Sequence, residues 1–386
     1  MTRKILHIDL DAFFCACEEL EDPSLRGTVF AVGGSVEGRG VISTCSYAAR
    51  ALGIHSAMPT AQALRICPNL KLVHSGYGLY SARSREVMAI LRNYTPVMQQ
   101  ISVDEAFLDI SDMREPNEEV ARAIQEEIFQ KTALPCSLGG SCNKLVAKMA
   151  NTIGKKRIKT ITYPQSINCI PEGKEAAFLA PLPAGKLWGV GESGAKRLHD
   201  LGILTIGDLA AYPVEVLVKS FGKYGYELHE HANGRDESEV RSEPEELKSV
   251  SQETTFEQDV SDKETLLRTI FSQCERVGYR LRKHQLKGNT VRLKLRWGDF
   301  RTITRQTRVP KAINQDSRIY EQASALFLSA WDREPIRLIG IGVSGFESGN
   351  QPSLIPDPAL EKEDRLLNAM DLIRAKYGKD ALKRGL

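Results

Sequence analysis

None of the eight cysteines of this 386-residue chain forms a CxxC pair, and no histidine cluster accompanies them. A zinc finger or zinc ribbon is therefore not expected. With no secretory pattern at the start, the cysteines read as reduced, mostly buried thiols of a cytoplasmic protein. No apolar run approaches bilayer-spanning length, so no membrane helix is expected. No internal repeat is present. A strong overall charge is also missing: the net charge of +3 argues nothing until its distribution is read. What is locally scarce is acid. Residues 276–318 carry a net charge of +11, with only Asp299 and Asp316 against their arginines and lysines.

In that basic stretch Val291, Leu293, Leu295 and Trp297 alternate with Arg292, Lys294 and Arg296. The period of two predicts a strand with one core face and one basic face, and Trp297-Gly298-Asp299-Phe300 reads as its hairpin turn. A row of cations suits a phosphate backbone and carries no base readout. A merely solvated face would mix both signs, so a nucleic acid is the expected partner.

Two acidic islands carry the chemistry. Lys4–Asp11 is an apolar strand that ends in Asp9 and Asp11 and runs into Phe13-Phe14. Ile101–Asp109 places Asp104 and Glu105 beside two apolar arms, Val97–Val103 and Ala106–Ile110, that look like a hairpin. Adjacent strand residues point to opposite faces, so both acids reach one site only if the strand turns there. Any one of these carboxylates alone reads as a cap or an arginine partner. Asp9, Asp104 and Glu105 together suit a pair of hard divalent cations of the kind that serve phosphoryl chemistry.

Tyr47 and Arg50 fall three apart, on one helical face, and suit a polyphosphate. Lys144, Lys148 and Lys155 share another face, on a helix that Ser141 is expected to cap. Gly189-Val190-Gly191 before a helical run resembles a helix–hairpin–helix, whose glycines let backbone N–H groups approach a phosphate. Helices are also expected over 12–20 and 117–132. Their alternation with strands predicts an α+β fold with helices on one face of a sheet. Prolines 171, 181 and 183 mark one boundary, and the polar stretch 233–246 reads as a linker.

Taken in order, the chain resembles a Y-family (translesion) DNA polymerase of the DNA polymerase IV branch. The resemblance rests on His7-Ile8-Asp9-Leu10-Asp11-Ala12-Phe13-Phe14, Tyr47-Ala48-Ala49-Arg50, Ser102–Asp109, Ser141–Lys148, Gly189-Val190-Gly191 and Phe300–Arg305. It implies a right-hand arrangement: a palm of 1–21 and 76–166, small fingers of 22–75 and a helical thumb of 167–233. A linker at 234–246, a little finger of 247–346 and a tail of 347–386 complete it. It further implies that Asp9, Asp104, Glu105 and the Leu10 carbonyl bind two Mg²⁺ ions, with Mn²⁺ as a substitute. Phe14 would be the steric gate beside Phe13. Tyr47, Arg50 and Lys155 would hold the incoming dNTP. Gly189, Gly191, Arg292, Lys294, Arg296, Arg301 and Arg305 would meet primer-template DNA. In the tail, Gln351-Pro352-Ser353-Leu354-Ile355 is similar to a sliding-clamp peptide, with Gln351, Leu354 and Ile355 as its contacts. The expected enzyme is a monomer. Asp11 is expected to be structural. Two other readings are a nucleotidyl cyclase, which needs neither the hairpin motif nor the +11 domain, and a DNA-binding scaffold without catalysis, which would be expected to lack one of the acids.

Overall fold

The computed structural model describes residues 3–35, 37–74, 76–243, 246–346, 358–378 and 381–382. They fall into two compact units, Met1–Val36 with Gly40–Pro244, and Glu37–Arg39 with Glu245–Leu386.

The first unit is built on a five-stranded sheet in the order Met98–Gln100, Glu105–Asp109, Ile5–Leu10, Cys136–Ser141 and Ile167–Cys169. The first three pairings are antiparallel and the last is parallel. The Ile5–Leu10 strand is central and buried on both faces, because helices cover both. One face carries Leu6, Ile8 and Leu10 into a core with Val87, Ile124 and Ile128. On the other, Ile5 and Phe107 pack with Ala147 of the Lys144–Arg157 helix and with Val240. The expectation of helices on one face is corrected here. That helix lies close because Gly139 has no side chain: a Cβ there would stand 2.1 Å from the Ala147 carbonyl oxygen. Its N-cap is Asn143, whose side chain accepts from the Val146 N–H, and not Ser141, which ends a strand.

A three-stranded sheet within 30–73 has its own core of Ala31, Ile42, Cys45, Ile54 and Met58. Five helices over 175–232 pack around Leu179, Leu198, Leu209, Leu217 and Leu228. The stretch read as a linker is tied to the first unit as far as residue 243. Arg3 donates to the carbonyls of Asp236 and Ser238, Asp236 accepts from the Leu145 N–H, and Ser242 donates to the Pro96 carbonyl. The eight cysteines are all unpaired.

The second unit is an antiparallel four-stranded sheet, ordered Thr302–Ile313, Gly288–Trp297, Ile336–Phe346 and Ser249–Val260. The helices Lys263–Lys283 and Asp316–Ala330 bury one face against Val291, Leu293, Leu295, Ile339 and Ile341. The Pro358–Tyr377 helix adds to this unit by its polar side. Asp371 takes Arg282, Arg374 takes Glu275, and among the described side chains of this helix Leu367 alone is fully buried. The stripe Leu366, Met370, Ile373 and Tyr377, at helical spacing, is the side left largely outward. Among the described residues no helix is long and apolar enough to cross a membrane.

Candidate active site and nucleic-acid face

Register brings the two acidic islands together. Asp9 stands directly opposite Glu105 across the antiparallel pair, so their side chains share a face. Asp104 lies in the turn just before Glu105, and the Leu10 N–H donates to its carbonyl. The chain turns there as the spacing required. Like charges directly opposite repel, and the fold answers with cations from one helix. Lys155 Nζ is 2.6 Å from Asp9 Oδ1 and 2.9 Å from Asp11 Oδ1, while Lys148 Nζ is 2.6 Å from Glu105 Oε2. The lysine spacing thus serves carboxylates, one of them, Asp11, fully buried and two, Asp9 and Glu105, half-buried. Lys144, itself buried, donates to Gln99 and to the Glu239 carbonyl.

Each carboxylate has a different environment. Burial, helped by the nearby charges of Glu105 and Asp104, pushes Asp9 up to about 6 despite Lys155. Burial also works against the Glu105 charge, but the nearby His7 ring, with its Nε2 3.9 Å away, and the hydrogen bond from Lys148 outweigh it and hold Glu105 down at about 2. His7 itself is driven down by burial. Asn151 anchors it, with its amide nitrogen 3.0 Å from His7 Nδ1. Asp11 turns inward and is fully buried; both its oxygens accept from the Ser137 hydroxyl and one from the Gln165 N–H. The next residue, Ala12, takes a left-handed φ of 43°. Non-glycine residues rarely adopt that conformation outside constrained sites.

A cleft of about 1210 Å³ opens over this point. Asp9, Leu10, Phe13, Phe14, Tyr47, Arg50, Asp104 and Lys155 line it. Glu105 does not line the cleft; it sits behind, on Lys148. Phe14 is stacked on Tyr80 at 4.1 Å between ring centroids. Arg50 sits 4.7 Å over the Tyr47 ring and donates to the Cys45 carbonyl. Ser43, Thr44, Lys156, Lys159 and Thr160 also line the cleft, and the sequence offered no pattern that singled them out.

The donor chemistry of Asp9, Asp104 and Glu105 fits hard divalent cations: the groups are all oxygen, and the Asp9 carboxyl is buried among like charges. Among the described residues no three such side chains close into a ready cation shell; lysines hold one oxygen each of Asp9 and Glu105, and the Ser102 hydroxyl donates to Asp104.

Gly189, with φ +95°, makes the turn expected of a glycine. Gly191 is the N-cap of the Glu192–Asp200 helix and offers no side-chain cap, which leaves that helix end open to a ligand.

On the sheet of the second unit, Arg292, Lys294 and Arg296 do share the face turned away from the helices, and register adds Arg308 through Thr290. Arg305 is opposite the buried Leu293 and so belongs to the other pleat of an edge strand. Arg301 stacks on Trp297 and pairs with Asp332 and Glu334. The face is not purely basic. Lys294, Gly340 and Glu253 lie in one row across three strands, and Glu253 reaches Lys294 at 2.9 Å over the bare glycine. Arg282 is buried on Asp316 and Asp371, away from this face, so the +11 of the segment overstates the charge of the sheet. Gln351, Leu354 and Ile355 lie outside the described residues.

Residues 8–152 match the impB/mucB/samB family, residues 247–354 its C-terminal domain, and residues 185–236 the DNA polymerase-iota thumb domain. The chain is 38% identical over 350 residues to a DNA polymerase IV of Listeria monocytogenes, covering 90% of this chain and 96% of that one. It is also 38% identical over 353 residues to a DNA polymerase IV of Methanoculleus marisnigri, with the same coverage. Its fold is similar to a solved Y-family DNA polymerase chimera of Dbh and Dpo4, with a TM-score of 0.78 at 23% identity, covering 90% of this chain and 100% of that one. A second solved relative, DinB from Sulfolobus solfataricus, gives a TM-score of 0.58 at 24% identity over 89% of this chain and 99% of that one.

Proposed function

The chain belongs to the Y-family DNA polymerases, the impB/mucB/samB family, and from that premise we propose how its residues divide the work of primer extension. It is a template-directed DNA polymerase of the DNA polymerase IV branch that acts in translesion synthesis. The primer 3′-hydroxyl attacks the α-phosphate of a dNTP, and pyrophosphate leaves. Low fidelity goes with the small fingers of this family.

One observation carries the assignment of roles: a single cleft gathers Asp9, Asp104, Phe14, Tyr47, Arg50 and Lys155. Asp9, Asp104 and Glu105, with the Leu10 carbonyl, would hold the divalent ions. Those ions, Mg²⁺ or in its place Mn²⁺, supply charge stabilisation to the attacking and leaving oxygens. Arg50 and Tyr47 bind the triphosphate from the fingers side, and Lys155 adds a cation from below. Phe14, held flat on Tyr80, presents a ring where a ribose 2′-hydroxyl would fall, and Phe13 packs beneath it. Asp11 stays structural, fully buried on Ser137 and Lys155.

Primer-template DNA lies against Arg292, Lys294, Arg296 and Arg308, and against the helix end at Gly189–Gly191. Arg301 and Arg305 contribute through the field more than through contact. The enzyme works as a cytoplasmic monomer, and Gln351, Leu354 and Ile355 dock on a sliding clamp.

Primer extension on a primed template with Mg²⁺ tests this reading. The native chain should extend, and Asp104→Ala/Glu105→Ala should not while still binding DNA. A native chain that binds DNA without extending it would favour a scaffold.

A further inference from the structure

A second cavity, of about 500 Å³, lies behind the nucleotide cleft, and Tyr47 and Ile161 line both. Tyr47 is therefore a wall with two sides. On the cleft side it carries Arg50. On the cavity side Tyr163 meets it edge-on, with ring centroids 5.9 Å apart and planes at 77°. Edge-to-face pairs at this distance hold orientation as well as area.

Tyr163 is itself held in place by its own stretch of chain. Two residues on, the Gln165 N–H donates to Asp11, and the Ser166 N–H donates to Ser137, which also donates to Asp11. Asp11 is in turn paired with Lys155. The support of Tyr47 is thus fastened to the same buried carboxylate that anchors the cleft lysine. The Tyr163 hydroxyl is buried near the Glu19 carboxyl but makes no hydrogen bond. The ring, not the hydroxyl, does the holding.

We propose that Tyr163 is a positioning residue: its ring fixes Tyr47 in the nucleotide cleft and so sets the affinity for the incoming dNTP. This rests on the reading of Tyr47 as a triphosphate contact. Misplacing a binding group by even a fraction of an ångström costs affinity where geometry is tight.

Steady-state extension with varied dNTP, at saturating DNA, separates the possibilities. Tyr163→Ala should raise the dNTP KM about tenfold with kcat within about twofold, while DNA affinity stays unchanged. Tyr163→Phe should restore the native KM, because it returns the ring alone. Tyr163→Leu fills the space without the edge contact, and serves if the alanine variant does not fold; it should behave as alanine does. In Tyr47→Ala/Tyr163→Ala, the KM should match that of Tyr47→Ala alone. A native KM in Tyr163→Ala or Tyr163→Leu, with a raised KM in Tyr47→Ala, would overturn the positioning role alone. A native KM in Tyr47→Ala would overturn the triphosphate reading beneath it.

Discussion

The Lys155 ammonium stands 2.6 Å from the Asp9 carboxylate at the edge of the cleft, and the same nitrogen reaches the fully buried Asp11 at 2.9 Å. Burial works against the lysine charge, but the two carboxylates prevail and raise its pKa. One side chain therefore serves the fold and the site at once. Lys155→Met should cost about 3 kcal/mol or more of stability, since it leaves Asp11 buried without its cation. It should also raise the dNTP KM. Chemical denaturation and steady-state kinetics read the two effects separately; native values in both would remove Lys155 from either role.

The two facing acids predict opposite responses to pH in metal-free buffer. Asp9 is raised from 3.8 to about 6, so its charging weakens the fold progressively as pH rises through that window. Glu105 is lowered from 4.5 to about 2, so it stabilises above pH 4.5 and its contribution is lost as pH falls toward 2. Asp9→Asn should flatten the first slope, while Glu105→Gln should flatten the second. Urea unfolding in EDTA across pH gives both curves. An unaltered curve in Asp9→Asn would show that this carboxyl is not held up.

Phe14 lies flat on Tyr80 and rims the cleft. Phe14→Ala should relax discrimination against rNTPs by at least about 10-fold, since even one methylene in a pocket is worth roughly that much. Single-nucleotide insertion with dNTP and rNTP pairs measures the ratio. Unchanged discrimination would move the gate elsewhere.

The DNA face should bind with steep salt dependence. Arg292→Ala and Arg308→Ala should each lower the slope of log K against log salt by about 1. Lys294→Ala should lower it less, because Glu253 already pairs with that lysine. Glu253→Gln should tighten binding and steepen the slope. Fluorescence anisotropy over a salt series decides, and a Glu253→Gln variant that binds as the native chain does would place the phosphates off this row.

Gly139→Ala tests how closely the lysine helix must lie. The added Cβ would sit 2.1 Å from the Ala147 carbonyl and 2.4 Å from the Asn151 nitrogen. Backbone cannot swing aside as a side chain can, so the helix must shift, at a cost of about 1–3 kcal/mol. Activity should fall with stability, since Lys148 and Lys155 ride on that helix. Thermal melting beside primer extension would reveal the link.

Several elements, and the residue types that gather at the cleft, were legible in local pattern. Strand Ile5–Leu10, helix Asn117–Thr132 and the Trp297–Arg301 turn follow from period and turn residues, which are local properties. The residues of the cleft were legible because oxygen donors and phosphate-binding side chains are chemically distinctive at short spacing. What meets what is set by register and docking. That Asp9 faces Glu105 and that Arg305 falls on the other pleat are matters of strand register, and that three helical lysines answer acceptors within the protein is a matter of where the helix docks. Residues 234–243 read as a linker because their polar side chains hide how the backbone is used: carbonyls of Asp236, Ser238 and Glu239 accept from Arg3 and Lys144. The Leu366–Tyr377 stripe has core spacing, yet the helix docks through ion pairs on its other side. Local composition fixes what an element can be, whereas pairing across tens to hundreds of residues fixes which charges are buried together, and no local pattern records that choice.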